Sequence, residues 1–228
     1  MDPPGEVAWL EWYGHYLLAV GYDDAENGLW VYDSLIWDAA SLQDFNSTEG
    51  RRYLYDDLAT YWRQFNRTYI IVYEPEREAE LAALVGDSWQ DSTMWQESLL
   101  VAQAETEAMP EDAFAWFNLG TSLVEIGRIE EAAAVYDKAR IIGLPWRMLW
   151  YQFGLYEAYY ETGRYTDIIL LANTTLANRP YFEESFYWRG RANQALGNVE
   201  QARADFQAAA QFNPYFEPAS DALAQLDS

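Results

Sequence analysis

The order of apolar and polar positions changes period once along the chain. Between residues 7 and 33 the apolar residues come in short β-rich runs, 7–12 and 15–22, and the acidic turn Asp23-Asp24-Ala25-Glu26-Asn27-Gly28 separates them from a third run, 29–33. This pattern predicts strands, the last two forming an antiparallel hairpin. A period of two puts His15, Leu17 and Ala19 on one face and Leu29, Val31 and Asp33 on one face of the returning strand. His15 and Asp33 can therefore point the same way, with the register left open. Residues 34–52 are irregular and polar. Leu54, Leu58, Tyr61, Trp62 and Phe65 recur at helical spacing, and Tyr69-Ile70-Ile71-Val72-Tyr73 reads as a further strand ended by Glu74-Pro75-Glu76.

Beyond Pro75 the period is helical throughout. Short helices are expected over 77–85, stopped by Gly86, and over 93–108, stopped by Pro110. From 112 to 214 the chain repeats with a period of about 34 residues. Landmarks of the first unit are Trp116, Leu119, Gly120, Leu123, Gly127, Ala132, Tyr136, Ala139 and Pro145; the third keeps Gly190, Gly197, Ala202, Phe206, Ala209 and Pro214. In the second, Leu155, Tyr159, Gly163 and Pro180 fit, while Tyr156, Ile168 and Ala172 stand where a small, a small and an aromatic residue are expected. Small residues let two helices approach, large ones fill the gap, glycine closes the turn and proline ends the second helix.

This pattern resembles the tetratricopeptide repeat, and the resemblance implies a peptide-binding solenoid in which the first helix of each pair lines a concave face. Those positions hold Phe114, Phe117, Asn118, Trp150, Phe153, Tyr160, Tyr187 and Arg191. Residues 216–226 supply the terminal capping helix such arrays need. The subclass that clamps a terminal carboxylate requires several Lys, Arg and Asn side chains, whereas this chain has the single lysine Lys138. An aromatic, acid-rimmed groove suits an apolar or basic segment of a protein or peptide. The same aromatics could equally pack against the amino-terminal half or a second copy of the chain.

Composition narrows the classes further. Half of the 228 residues are hydrophobic and 17% aromatic, which excludes a disordered chain. A formal charge of -23 argues against nucleic acid and anionic membrane surfaces as partners. Without cysteine there are no disulfides and no thiolate metal sites. No signal peptide or membrane span is apparent, so the chain reads as soluble with its compartment open. There is no Gly-rich phosphate loop, His-Glu-x-x-His or calcium loop, and neither cofactor nor metal is implied. Asp23, Asp24 and Glu26 crowd one turn and are read as solvated.

Gly14-His15-Tyr16-Leu17-Leu18-Ala19-Val20-Gly21-Tyr22-Asp23-Asp24, followed by Val31-Tyr32-Asp33-Ser34, resembles the carboxyl-terminal half of bacteriocin-processing (family 39) cysteine peptidases, which are papain-like. The resemblance covers about residues 6–75 and implies His15 as general base and Asp33 as its orienter. The family's catalytic Cys and its oxyanion-donating Gln have no counterpart here. The expected architecture is α+β: a partial papain-like antiparallel β lobe (1–75) with an open sheet face or edge, linking helices (76–111) and a tetratricopeptide solenoid (112–228). The expected function is protein or peptide interaction, with the lobe non-catalytic. The alternative is the carboxyl-terminal part of a Cys-His-Asp peptidase, secreted or envelope-associated, whose nucleophile lies upstream or on another chain.

Overall fold

In the hairpin, Asp23 turns its carboxylate back on its own loop, where Oδ1 accepts from the backbone of Ala25 at 2.9 Å and of Glu26 at 3.2 Å. The loop ends at Asn27, with φ 54°. This local closure joins β1 (Leu17–Asp23) to β2 (Gly28–Asp33). The computed structural model describes residues 14–33 and 51–226, and the chain divides at Val85/Gly86 into two compact units. The strand expected over 7–12 and most of the irregular stretch 34–52 lie outside the described residues.

Within the amino-terminal unit, β2 pairs with β1 and with β3 (Arg51–Leu54) in an antiparallel sheet of order β1-β2-β3. A bulge between Ala19 and Gly21 shifts the β1–β2 register. The strand begins at Leu17, so His15 precedes it. Val31 is buried on one face, while Leu18, Tyr32 and Leu54 remain exposed on the other. The apolar pattern does not predict β3, because Arg51-Arg52-Tyr53-Leu54 owes its place to the turn. Arg52 pairs with Glu26 at 3.1 Å and lies 5.7 Å from the Trp30 ring centroid, and the Tyr55 hydroxyl donates to Asp24 at 2.8 Å. The crowded turn carboxylates are thus engaged by protein groups. Helix α1 (Tyr55–Trp62) continues into a 3-10 turn ended by left-handed Asn66 and Arg67. Residues 69–73 are not a strand, in contrast to their composition. Helix α2 is Glu78–Val85, and Gly86 ends it at φ 70°.

The second unit is a run of helices: α3 (Asp91–Ala108), α4 (Ala113–Glu125), α5 (Ile129–Ile142), α6 (Gly154–Glu161), α7 (Tyr165–Asn178), α8 (Glu183–Ala195), α9 (Val199–Phe212) and α10 (Glu217–Leu226). Neighbours in sequence pack on one another, and α4 also packs on α6. Asp112 caps α4 by accepting from Phe114 N–H at 2.9 Å. Gly127, Gly163 and Gly197 close the three helix pairs at φ 77°, 73° and 78°, a region open to glycine at little cost.

Close approach inside each pair is arranged in two ways. In the first pair Gly120 faces Tyr136, and in the third Gly190 faces Phe206; a Cβ on either glycine would stand 2.6 Å from the ring. In the second pair the large residue is on the first helix, Tyr156, and the small one on the second, Ala172, both wholly buried. In this repeat the large residue stands where the other two carry the glycine, and the small one where they carry the ring. Burial pushes the Tyr156 hydroxyl up to about 12, while the Ser185 and Thr175 hydroxyls beside it pull the other way.

Charged clusters tie the helices of the array together. Arg164 donates to both oxygens of Asp137 at 2.6 and 2.9 Å, and its guanidinium lies 3.9 Å from the Tyr159 ring centroid. The Tyr159 hydroxyl donates to Asp137 at 2.5 Å and accepts from Arg140 at 2.9 Å. Further along, Arg189 forks onto Asp205, whose other partner is Asn193 at 3.1 Å.

Candidate functional site

Aligning the first helices on their turn glycines gives them a common frame. Ten residues before Gly127, Gly163 and Gly197 stand Phe117, Phe153 and Tyr187; six before stand Thr121, Glu157 and Arg191; two before stand Glu125, Glu161 and Ala195. Equivalent positions recur on successive first helices of a solenoid, so this face changes character from acidic to cationic along the array.

The first helix departs from expectation. Phe114, Phe117 and Asn118 belong to the core, with Phe117 and Asn118 at 0% exposure. The cause is α3, which packs along α4 with Leu99, Ala102 and Thr106 buried and Ser98 hydrogen-bonded to Ser122 at 2.8 Å. Phe117 meets Tyr136 edge-on at 4.9 Å. All three are buried within the helical unit.

The remaining expected residues gather on α6, α8 and the segments before them. Trp150 lies between two guanidinium groups, Arg147 at 5.6 Å and Arg179 at 4.4 Å from its ring centroid, and both Trp150 and Phe153 approach Phe182, at 6.1 and 6.3 Å. Trp188 stacks on buried Tyr156 at 5.9 Å and meets Tyr160 edge-on at 6.2 Å. Tyr187 continues the chain of rings to Phe206 and Phe216. Arg191 sits at its open side. Its guanidinium is 4.4 Å from the Tyr160 ring centroid and donates to the Tyr187 hydroxyl at 2.8 Å.

Two further residues on this face were not expected. Burial raises the Glu125 carboxyl above its ordinary range, and the Glu157 and Asp91 charges push it further; burial also raises Glu157, with Glu161 adding to the effect. Among the described residues neither Glu125 nor Glu157 forms an ion pair, and Arg191 meets only tyrosines. Arg128, Arg140, Arg164 and Arg189 each engage a carboxylate. In the sequence the two glutamates are marked only by their placement two and six residues before a turn glycine, and not by composition.

In the amino-terminal unit, His15 is exposed and stands two residues before Leu17, whose Cα partner is Asp33, the last residue of β2. No group of three or more His, Asp or Glu among the described residues could hold a metal ion. No described helix is long and apolar enough to cross a membrane.

Residues 115–139 and 184–214 each match a family model described as tetratricopeptide repeat. No curated protein matches the chain. Among solved structures, MamA 41-end from Desulfovibrio magneticus RS-1 is similar with a TM-score of 0.53 at 15% identity, over 65% of this chain and 83% of that one. A structure titled MamA MSR-1 C2 is similar with a TM-score of 0.50 at 17% identity, over 60% of this chain and 77% of that one. At these identities the likeness is one of fold. The carboxyl-terminal unit is a helical solenoid that carries tetratricopeptide repeats.

Proposed function

We propose that this chain is a protein-interaction scaffold whose first-helix face takes an extended segment of a partner, apolar with a basic residue beside α4 and α6. The observation that carries this reading is the Glu125–Glu157 pair. On facing helices, partial burial and the Glu157 charge raise Glu125, and partial burial and the Glu161 charge raise Glu157, with no ion pair to either among the described residues, an arrangement that costs the fold free energy and that a ligand's Lys or Arg would relieve. The aromatic groups next to them, Phe153, Tyr160, Tyr187 and Trp188, offer apolar contact to the rest of the segment. Arg191, held by two tyrosines, is placed to meet a backbone carbonyl or carboxylate further along.

The test is a peptide series of equal length and hydropathy with the charged position basic, neutral or acidic, titrated by fluorescence anisotropy. Basic peptides bind best, their affinity falls as salt rises, and Glu125→Gln with Glu157→Gln weakens them at least 5-fold. Equal binding of all three classes to the variant and the parent protein rejects this reading.

For the hairpin lobe we keep the non-catalytic reading, because a chain without cysteine supplies no thiol. The register that sets Asp33 against Leu17, two residues from His15, is the support for a peptidase-like ancestry. Hydrolysis would require a nucleophile from a further segment or another chain. Thiol-dependent peptide cleavage by this chain alone would refute that requirement.

A further inference from the structure

Glu157 on α6 and Arg191 on α8 stand at the same level of their helices, six residues before Gly163 and Gly197. The two helices touch through the stacked rings of Tyr156 and Trp188. Among the described residues the two opposite charges nevertheless do not pair. Arg191 is turned onto aromatic groups instead, 4.4 Å from the Tyr160 ring centroid and 5.7 Å from that of Tyr187, with one N–H on the Tyr187 hydroxyl at 2.8 Å. Tyr160 is fixed in turn by Tyr165 at 5.4 Å and Trp188 at 6.2 Å, both edge-on. A guanidinium carries five N–H donors in one plane, so its tyrosine partners leave donors for an acceptor from outside the chain. The group is already held in place to meet it.

We infer that the segment bound by this face carries an acidic side chain three residues from its basic one, in a polyproline II conformation, with the carboxylate on Arg191. This rests on the reading of the first-helix face as a peptide site, which supplies the basic residue at Glu125 and Glu157. The spacing follows from two geometries. Packed helices stand about 8–10 Å apart. Polyproline II rises about 3.1 Å per residue with three residues per turn, so positions i and i+3 face the same way about 9 Å apart. A β-strand offers about 7 Å between i and i+2 or about 13 Å between i and i+4, and neither matches.

Charge gives the acidic residue its purpose. At a net charge of -23 the chain attracts any cationic segment and repels an acidic side chain over most of its surface. Arg128, Arg140, Arg164 and Arg189 are taken up by carboxylates of the protein itself. A guanidinium left on tyrosines is where a partner's carboxylate gains, and a charge-assisted pair there separates the right segment from other basic ones.

The experiment titrates the full chain with peptides of equal length by fluorescence anisotropy. All are acetylated and amidated, so that no terminal charge takes part. Both orders, Lys-x-x-Glu and Glu-x-x-Lys, are included, because the face sets the spacing and not the chain direction. In the better-binding order, replacing Glu by Gln, or moving it to two or four positions from Lys, weakens binding by about 5-fold or more. Arg191→Gln removes the difference between the Glu and Gln peptides and keeps the preference for Lys over a neutral residue. Lys138→Gln, which deletes the same charge from a second helix, retains the difference; circular dichroism checks the fold of both variants. Equal binding of the Glu and Gln peptides by the parent chain overturns the inference with no protein variant needed, and a kept preference for Lys then leaves the peptide site standing. A Glu effect that survives Arg191→Gln overturns it as well, as does tighter binding at a spacing of two or four. If neither peptide charge matters, the peptide-site reading fails and the inference with it.

Discussion

Gly120 and the ring of Tyr136 are packed so closely that a Cβ on the glycine would stand 2.6 Å from the ring, and Tyr136 also reaches Gly154, where the hydroxyl would lie 2.7 Å from an added Cβ. One aromatic side chain thereby fixes the spacing within the first helix pair and between it and the second. Replacing Gly120 by Ala forces the ring or a helix to move, and overpacking of this kind costs about 1–3 kcal/mol. The urea midpoint of Gly120→Ala is expected to fall accordingly, while a solvent-facing change such as Glu130→Gln leaves it within error.

The exchanged volumes of the second pair give a sharper test. Tyr156→Ala empties a wholly buried site and is expected to cost about 3–5 kcal/mol. The double change Tyr156→Gly with Ala172→Tyr rebuilds the arrangement of the other two pairs and recovers most of that loss. If the double variant is no more stable than the single one by thermal unfolding, the exchange is not what balances this repeat.

Asp137 links stability to acid. Burial on its own would raise its pKa, but the hydrogen bonds from Arg164 and Tyr159, with the Arg164 and Arg140 charges, outweigh it and hold the carboxyl below its ordinary range. A depressed native pKa contributes stability above the unfolded value of about 3.9 and loses it as pH falls through the native value. Asp137 is partly exposed, so solvent limits the effect to about 1 kcal/mol. Asp137→Asn is therefore expected to be less stable than the parent at pH 7 and to match it near pH 2, read from urea midpoints at the two pH values.

Glu125 and Glu157 run the other way. Their raised native pKa values favour the fold below the unfolded value of about 4.3, and the contribution is lost as pH rises through the native values. Both are partly desolvated yet remain largely exposed, so Glu157→Gln is expected to stabilise the chain at pH 7 by only a few tenths of a kcal/mol, with no gain at pH 3. The same substitution weakens binding of a basic peptide. Stability gained where binding is lost is the pattern expected of a residue kept for a ligand.

Much of the solenoid could be read from the chain. Trp116, Gly120, Tyr136, Gly127 and their third-repeat counterparts each mark a contact or a turn that only a few residue types permit, so their spacing carries the helix pairs. Tyr156 and Ala172 read as a defect because a position-by-position pattern cannot express that two sites share one volume. Phe114 and Phe117 read as groove residues because α3 makes its contact through Leu99, Ala102 and Thr106, a weak stripe in a helix whose other positions mix apolar and polar residues. In the amino-terminal unit, residues 69–73 have strand composition but join no strand of the described sheet, and strand structure is a property of a pair. Arg51–Leu54 is the converse, a poor strand sequence recruited by Glu26 and Trp30.

The two ways of dividing volume have a genetic consequence. A crossover between repeats keeps each glycine with its own ring and each tyrosine with its own alanine. A crossover inside a repeat joins Tyr156 to Tyr136, two rings in a space for one, or Gly120 to Ala172, which leaves a hole. The halves of different repeats in this array are therefore not interchangeable parts.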